Sequence, residues 1–320
     1  MKKSLLIVCC WCGIAASAQQ KILRYFNAQW KPCDELAARF VSVRQQTDSG
    51  WVWQDFYLGN KQLQMRGLFA DSAGEVENGF FYWFHPNGEL DRAARYINGK
   101  AHGASLGYYG NGMMEDSANY DHGKLVGVAL SWYRDGMIKD STHSLNDSLS
   151  SFVSWFSNGA PSAAGYFLHG KKEGKWKYFH SNGSLAMTAL YKQGAQLDSA
   201  FYDEQGNPDS KGRSVAIPAE YTGGPRAWQA YMESKLYWPD GLEFANGNMA
   251  ETIIEFELDE DGVIRHAEVA VPFHPAFDKI ALKVVQQAKG WQPAKQFNRR
   301  VMYRFRQRVT FSMPDDEEEE

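Results

Sequence analysis

The chain has 320 residues, with 34 basic and 38 acidic side chains and a formal net charge of −4 at pH 7. This near balance lacks the basic surface that nucleic-acid binding requires, so no nucleic-acid partner is expected. Six of the acidic residues form the run Asp315 to Glu320, and residues 314–320 are predicted to be a solvated, disordered tail.

The first 18 residues have the pattern of a secretory signal peptide. Two lysines precede an apolar run from Leu5 to Ala16, and small residues at alternate positions lead to Ala18. We expect cleavage between Ala18 and Gln19, which places the mature chain in the periplasm or outside the cell. The apolar run is shorter than the roughly 20 residues of a spanning helix, so no stable membrane span is expected after cleavage. An uncleaved anchor stays open as the alternative.

Cleavage removes three of the four cysteines, Cys9, Cys10 and Cys12, and leaves only Cys33. A single thiol forms neither an internal disulfide nor a thiolate metal cluster. We expect a half-buried structural cysteine, and its reactivity stays open.

Residues 19–50 are predicted to form an N-terminal cap, followed by a repeat array over residues 51–207. A turn glycine recurs every 23 or 24 residues, often within Asn-Gly or Asp-Gly pairs. The six turn glycines are Gly88, Gly112, Gly136, Gly159, Gly183 and Gly206. Such pairs suit tight hairpin turns because glycine adopts positive φ freely, so each unit is predicted to be strand, turn, strand.

An aromatic residue stands four positions before every turn glycine. These residues are Phe84, Tyr108, Trp132, Trp155, Phe179 and Tyr202. The residues two positions earlier, beginning with Tyr82, are mostly apolar and are expected on the same face, because strand side chains alternate. Packing between neighbouring hairpins explains the aromatic row better than a carbohydrate or peptide platform does.

The spacing Y-x-x-x-G followed by Y-x-x-G-x-x-x-G resembles the bacterial variant of the MORN repeat. The resemblance covers roughly residues 50–210, with 51–69 as a divergent first copy. It implies a mainly β fold, in which stacked β-hairpins form a repeat array.

The repeats end after Gly206, and residues 208–223 are predicted to be a linker because they are rich in Pro, Ser and Gly. The next residues predict a helix that ends at Pro239, and then a hairpin that turns at Gly262. A second, amphipathic helix from about Pro275 and a closing strand complete the pattern.

This order of elements resembles the C-terminal domain of the TonB family, which we expect over residues 224–313. The likeness rests on PAEYTGG at 218–224, DEDG at 259–262 and GWQPA at 290–294. It implies an α+β domain with two helices and a three-stranded antiparallel sheet. It also implies that the last strand lies at a sheet edge, where it pairs with a segment of an outer-membrane receptor by β-augmentation.

The candidate partner-binding residues lie in that last strand. They are Arg300, Val301, Tyr303, Arg304, Phe305 and Arg306. Together with Arg299, the arginines are expected to steer an acidic partner, although charged edge residues also protect a strand against aggregation.

The mature chain contains no G-x-S-x-G, H-E-x-x-H, P-loop or C-x-x-C motif. His85 and His180 share one repeat position with Tyr109, Tyr133 and Phe156, which favours a tolerant rim over a metal site. We therefore expect no enzyme, no cofactor and no metal.

The predicted function is an exported, non-enzymatic protein-binding module, in which a repeat scaffold presents the C-terminal domain to an envelope partner. One alternative is a TonB-like energy transducer in transmembrane transport, held by an uncleaved N-terminal anchor. A cell-envelope enzyme is the less supported alternative, since no set of residues points to it.

Overall fold

A computed structural model describes residues 21–243 and 249–313 of the chain. The predicted signal peptide and the acidic tail lie outside the described residues. The array strands are β1 (Lys21–Phe26), β2 (Phe40–Thr47), β3 (Gly50–Tyr57), β4 (Leu63–Phe69), β5 (Gly79–Phe84), β6 (Leu90–Ile97), β7 (Lys100–Ala101), β8 (Gly103–Tyr108), β9 (Met114–Asp121), β10 (Lys124–Leu125), β11 (Val128–Trp132), β12 (Ile138–Ser144), β13 (Leu149–Trp155), β14 (Pro161–Leu168), β15 (Lys171–Phe179), β16 (Leu185–Lys192) and β17 (Ala195–Phe201).

The C-terminal elements follow in the order β18 (Glu220–Tyr221), α1 (Gly224–Glu233), β19 (Met249–Leu258), β20 (Ile264–Val271), α2 (Pro275–Gln287), β21 (Trp291–Gln292), β22 (Ala294–Gln296), β23 (Arg299–Val301) and β24 (Tyr303–Ser312).

Strands β1 to β17 form one antiparallel sheet in which successive strands pair along the chain. Two places are subdivided: β6 pairs with both β7 and β8, and β9 pairs with both β10 and β11. The predicted cap contributes β1 and β2 to this sheet. The expected fold class, a mainly β chain built from side-by-side hairpins, is confirmed.

Five of the repeat hairpins carry a β-bulge opposite the aromatic position. The pairing shifts by one residue between Trp83 and Phe84. The same shift lies at Gly107/Tyr108, Ser131/Trp132, Ser154/Trp155 and Tyr178/Phe179. The extra residue lies in the second strand of the hairpin, as Asp91 does between Leu90 and Arg92, so the side chains of the first strand alternate without interruption.

The prediction that Tyr82 shares a face with Phe84 agrees with this alternation, but the buried face is the opposite one, which carries Phe81 and Trp83. Phe81 is 1% exposed and belongs to the buried face, whereas Tyr82 is 38% exposed on the other face.

The buried face of the array combines large rings with glycines in the neighbouring strand. The ring of Phe81 lies over Gly67, and the ring of Trp176 lies over Gly165, where an added Cβ would overlap the ring. Trp176 also packs with Tyr178, Met187, Ala189 and Tyr191 in one buried cluster. Glycine within these strands thus provides the space that the aromatic side chains fill.

The C-terminal domain contains a three-stranded antiparallel sheet in the order β20-β19-β24, with the two helices α1 and α2. Alternate residues of β19, including Ile254 and Phe256, are fully buried with Phe277 and Val285 of α2. The predicted two helices and three strands are confirmed.

Two predicted boundaries in this domain differ from the structure. Helix α1 ends at Glu233 and not at Pro239, because the Lys235 N–H already bonds the Met232 carbonyl in a tighter closing turn. Within the predicted linker, Ile217 bridges to Lys295 and β18 pairs with β21, so its last residues pack with the C-terminal domain.

Among the described residues, no helix combines the length and the apolar character needed to cross a membrane.

Candidate protein-binding edge

Strand β24 lies at one side of the C-terminal sheet. It pairs with β19 over ten residues, from Met249 opposite Ser312 to Leu258 opposite Tyr303. All pairings of β24 within the described residues are with β19. Its other edge therefore presents backbone N–H and C=O groups to which a further strand can bond.

The candidate residues are divided between two strands. Tyr303 to Arg306 lie in β24, whereas Arg300 and Val301 lie in β23, which pairs with β22 in a separate hairpin. The expectation of one continuous strand across these residues is wrong, because the chain leaves the hairpin at Met302 and joins β19 at Tyr303.

Phe305 points into the domain and away from the surface of the sheet that carries the arginines. Its ring stacks on Phe256 with centroids 5.1 Å apart and approaches Trp291 at 4.9 Å. Tyr303 meets the Phe305 ring edge-on at 4.8 Å. These aromatic side chains stabilise the core, so at these positions only the backbone faces the free edge.

Arg299 and Arg300 are engaged within the chain. Arg299 is 8% exposed and donates to the backbone carbonyl of Ser162 in the array. Burial lowers the pKa of Arg299 to about 10. Arg300 pairs with Glu204 of the array at 3.0 Å and with Asp261 at 3.1 Å. The expectation that Arg299 faces a partner does not agree with its burial, whereas the side chain of Arg300 is 38% exposed.

Arg304 is the centre of a cluster of carboxylates. Its Nη2 lies 2.9 Å from both Glu115 of the array and Glu257 of β19, and its Nε lies 3.6 Å from Glu255. Burial alone would lower the pKa of Arg304, but the hydrogen bonds that its guanidinium donates to Glu257 and Glu115 outweigh this effect and raise the pKa. Arg304 therefore ties β24 to the array.

The face of the sheet that carries these charges packs against the array, which sequence reasoning missed. Arg134 pairs with Glu268 of β20 at 2.6 Å, and its side chain is 7% exposed. Beside this pair, Ile253 and Val271 share an apolar cluster with Tyr57 and other residues of the first strands. The array and the C-terminal domain thus form a common interface with both ionic and apolar contacts.

The hairpin of β22 and β23 inserts its tip into the far end of the array. Phe297 stacks on Tyr178 with centroids 4.1 Å apart, and Lys172 Nζ lies 4.0 Å from the centre of the Phe297 ring. Asn298 donates to the Tyr202 carbonyl at 3.0 Å. Burial, with the positive charge of Arg299, lowers the pKa of Lys172 to about 8.

The shared ring position of the repeats forms a ladder between units. The tyrosine hydroxyl or the histidine Nε2 at this position lies within hydrogen-bonding distance of a backbone carbonyl oxygen in the next unit. The pairs are Tyr57 with Phe84 at 3.1 Å, His85 with Tyr108 at 2.7 Å, Tyr109 with Trp132 at 2.7 Å, Tyr133 with Trp155 at 2.8 Å and His180 with Tyr202 at 3.0 Å. Phe156 has no polar atom and supplies only the ring. Histidine and tyrosine interchange here because both place a polar tip at the end of a ring.

A cleft of about 780 Å³ lies between this rim and the C-terminal sheet. It is lined by rings of the rim, including Tyr109, and by charged side chains of the sheet, including Glu255 and Arg306. Burial raises the pKa of Glu255, against the effect of Arg304. The cleft places charged groups of both parts of the chain beside β24.

Comparison with known families identifies both parts of the chain. The family model described as Gram-negative bacterial TonB protein C-terminal matches residues 243–313. The model described as MORN repeat variant matches residues 172–193, which contain most of β15 and all of β16. A search of curated proteins found no match. The chain therefore combines a MORN-variant repeat with a C-terminal domain of the TonB family, as the sequence motifs predict.

Proposed function

We propose that this chain is a non-enzymatic protein of the cell envelope that binds a protein partner by strand addition to β24. Domains of the TonB C-terminal family belong to the envelope and interact with outer-membrane proteins. The observation that carries the proposal is that β24 pairs along its full ten residues with β19 and, within the described residues, along one edge alone. An extended partner segment gains affinity from the backbone groups of the other edge.

The side chains of β24 supply selectivity on the face that carries its arginines. Arg306 and Arg308 are both exposed there, and Arg308 pairs with Glu251 at 3.3 Å. With Arg299, Arg300 and Arg304 engaged inside the chain, we propose that Arg306 is the main residue that attracts acidic side chains. Electrostatic attraction of this kind acts mainly on the association rate and weakens with salt.

The repeat array has the role of a rigid base in this proposal. Its ladder of rim hydrogen bonds supports this role, as do its two ion pairs with the C-terminal sheet, Arg134 with Glu268 and Glu115 with Arg304, because they hold the sheet on an extended surface. The base fixes the orientation of β24, so a partner binds a preformed edge and little ordering cost is added on binding.

The test is capture of outer-membrane proteins by the mature chain and by two proline variants, Arg306→Pro and Gln307→Pro. Successive N–H groups of a strand point to opposite sides, so one proline removes a bond to β19 and the other removes a donor of the free edge. Gln307→Pro also removes the hydrogen bond that Trp228 Nε1 donates to Gln307, and Arg306→Pro also removes a positive charge. Thermal unfolding distinguishes them, since only the proline that removes a bond to β19 is expected to destabilise the domain.

One of the two proline variants should unfold at the same temperature as the parent chain. If partners bind the free edge of β24, this variant should no longer capture the outer-membrane protein. Arg306→Lys is the matched control, because it keeps the charge and the backbone donor and should keep the capture. If the stable proline variant captures the same protein to the same extent, the edge does not bind it.

Energy transduction is the second candidate, because the matched domain family is a non-catalytic energy-transduction family. That role requires the apolar segment from Leu5 to Ala16 to remain as a membrane anchor. Amino-terminal sequencing of the exported protein decides between the two, since a terminus at Gln19 removes the anchor and rules out this candidate.

A further inference from the structure

Two histidines and an aspartate of the array meet at one end of the hairpin formed by β8 and β9. His102 directly precedes β8, Asp121 ends β9, and His122 stands in the turn that follows. Gly103 pairs with Tyr120, so the register places His102 and Asp121 next to each other across the two strands. The three residues lie at the open end of this one hairpin and are brought together by the pairing of its two strands.

The ligand atoms of this cluster converge on one carboxylate oxygen. Nδ1 of His122 lies 2.6 Å from Oδ1 of Asp121, and Nδ1 of His102 lies 3.4 Å from the same oxygen. One ligand atom from each residue lies within 4.8 Å of the others, and the two imidazole centroids are 4.8 Å apart. Ligand atoms about 2.1 Å from a tetrahedral Zn²⁺ are separated by roughly 3.4 Å, so small side-chain rotations complete the arrangement.

Exposure and hydrogen bonding favour a ligand at this place. Nδ1 of His102 is buried and has no hydrogen-bond partner among the described residues, although a buried polar atom normally has one. The side chains of Asp121 and His122 are 65% and 60% exposed, so an ion can reach the cluster from solvent. Water can fill the remaining coordination position on that side.

We propose that His102, Asp121 and His122 form a surface site for a divalent transition-metal ion, with Zn²⁺ as the first choice. Two imidazole nitrogens and one carboxylate suit Zn²⁺ and its neighbours Ni²⁺ and Cu²⁺, whereas Mg²⁺ and Ca²⁺ prefer all-oxygen ligands. The ion would connect the ends of β8 and β9 and stabilise their pairing, since binding to the folded state alone raises its stability.

A matched position in the array separates this proposal from a simple turn-stabilising role. His169 occupies the same turn position as His122, with φ of 50° compared with 46°, and both precede a glycine. The residue before His169 is Leu168, so that turn forms without an aspartate partner. The turn conformation alone therefore does not require the Asp121–His122 contact.

The test is calorimetric titration of the untagged mature chain with ZnCl₂, in parallel with His102→Ala, His122→Ala, Asp121→Asn and His169→Ala. We expect one Zn²⁺ per chain, reversed by EDTA, and an affinity at least about tenfold lower for each of the first three variants. His169→Ala should bind as the parent chain does. Circular dichroism of each variant confirms that the sheet is intact.

Titration with Co²⁺ gives a second readout, because its visible absorption reports the coordination geometry directly. Absorption bands that disappear in His102→Ala and His122→Ala, and persist in His169→Ala, support the site. The proposal is wrong if Zn²⁺ does not bind, or if the double variant His102→Ala/His122→Ala binds with the affinity of the parent chain.

Discussion

Arg134 donates two hydrogen bonds to the carboxylate of Glu268, at 3.0 and 2.6 Å, across 134 positions of the sequence. The guanidinium also lies over the ring of Tyr109, 4.7 Å from its centroid. This bidentate pair joins the turn of Gly136 to strand β20. The array and the C-terminal domain are consequently coupled in stability, and this coupling can be measured.

The first prediction concerns the coupling energy of this pair. In a double-mutant cycle of Arg134→Ala and Glu268→Ala, we expect an interaction free energy of about 1 to 3 kcal/mol, because the arginine is almost fully buried. Urea unfolding of the four proteins measures it. The Lys124–Asp147 pair, at 2.7 Å with both side chains exposed, is the control and should show no measurable coupling. Equal couplings in the two cycles would contradict the proposed burial of Arg134.

The second prediction concerns the tip of the β22–β23 hairpin. Phe297→Ala should destabilise the docked state by about 2 kcal/mol, because it removes the stacking on Tyr178 and exposes the rings beneath it. Limited proteolysis between residues 208 and 216 should become faster, since the hairpin no longer holds the two parts together. Lys295→Ala, an exposed change in the same hairpin, is the control. Unchanged stability and proteolysis in Phe297→Ala would show that this contact does not hold the domain.

The third prediction concerns the pH dependence of stability through Asp55. Burial raises the pKa of Asp55 to about 6, although the nearby Ser42 hydroxyl and the charge of Arg44 act in the opposite direction. The folded state therefore binds a proton more tightly than the unfolded state, whose value is the ordinary 3.8. The stabilisation by this proton is complete below about pH 4 and is lost as the pH rises through 6.

Asp55→Asn should remove this dependence. The free energy of unfolding of the parent chain minus that of the variant should fall by roughly 3 kcal/mol between pH 4 and pH 8, at about 1.4 kcal/mol per pKa unit. Denaturant unfolding at four pH values measures the difference, in which the other titrating groups cancel. Asp48→Asn, at an exposed turn, provides the control profile. A difference that stays constant with pH would mean that Asp55 is not buried as described.

The fourth prediction concerns the rim ladder. Tyr109→Phe keeps the ring beneath Arg134 but removes the hydrogen bond to the Trp132 carbonyl, so we expect a loss of about 1 kcal/mol in unfolding free energy. Tyr82→Phe makes the same chemical change at an exposed position outside the ladder and should have little effect. Thermal unfolding compares the two variants. If the two variants change the unfolding temperature equally, the ladder hydrogen bond of Tyr109 does not stabilise the fold.

The sequence predicted the hairpin array because its signals are local. A turn glycine every 23 or 24 residues specifies strand, turn and strand without reference to the rest of the chain. The bulge opposite Trp83 and Phe84 was missed, because its single extra residue, Asp91, is not a distinctive residue type. Strand β24 and helix α2 were predicted for the same reason as the hairpins, since the apolar period of each is visible within one segment.

The contacts between the two parts of the chain could not be predicted in this way. Arg299 looked like a residue of an exposed edge, yet it is buried against the Ser162 carbonyl 137 positions away. The cluster of His102 and His122 was also invisible, because the two histidines occupy different positions in their repeats and only the strand register joins them. Tertiary pairing decides the role of such polar residues.

The C-terminal domain draws its array partners from several different units. Arg304 binds Glu115, Glu268 binds Arg134, Arg299 binds Ser162 and Asn298 binds Tyr202. Repeat proteins usually gain or lose whole units with little penalty, because each unit contacts only its neighbours. Here an extra hairpin between Glu115 and Tyr202 would move some of these partners by the width of a unit and leave the others in place. The contacts of the C-terminal domain therefore constrain the number of hairpins between Glu115 and Tyr202.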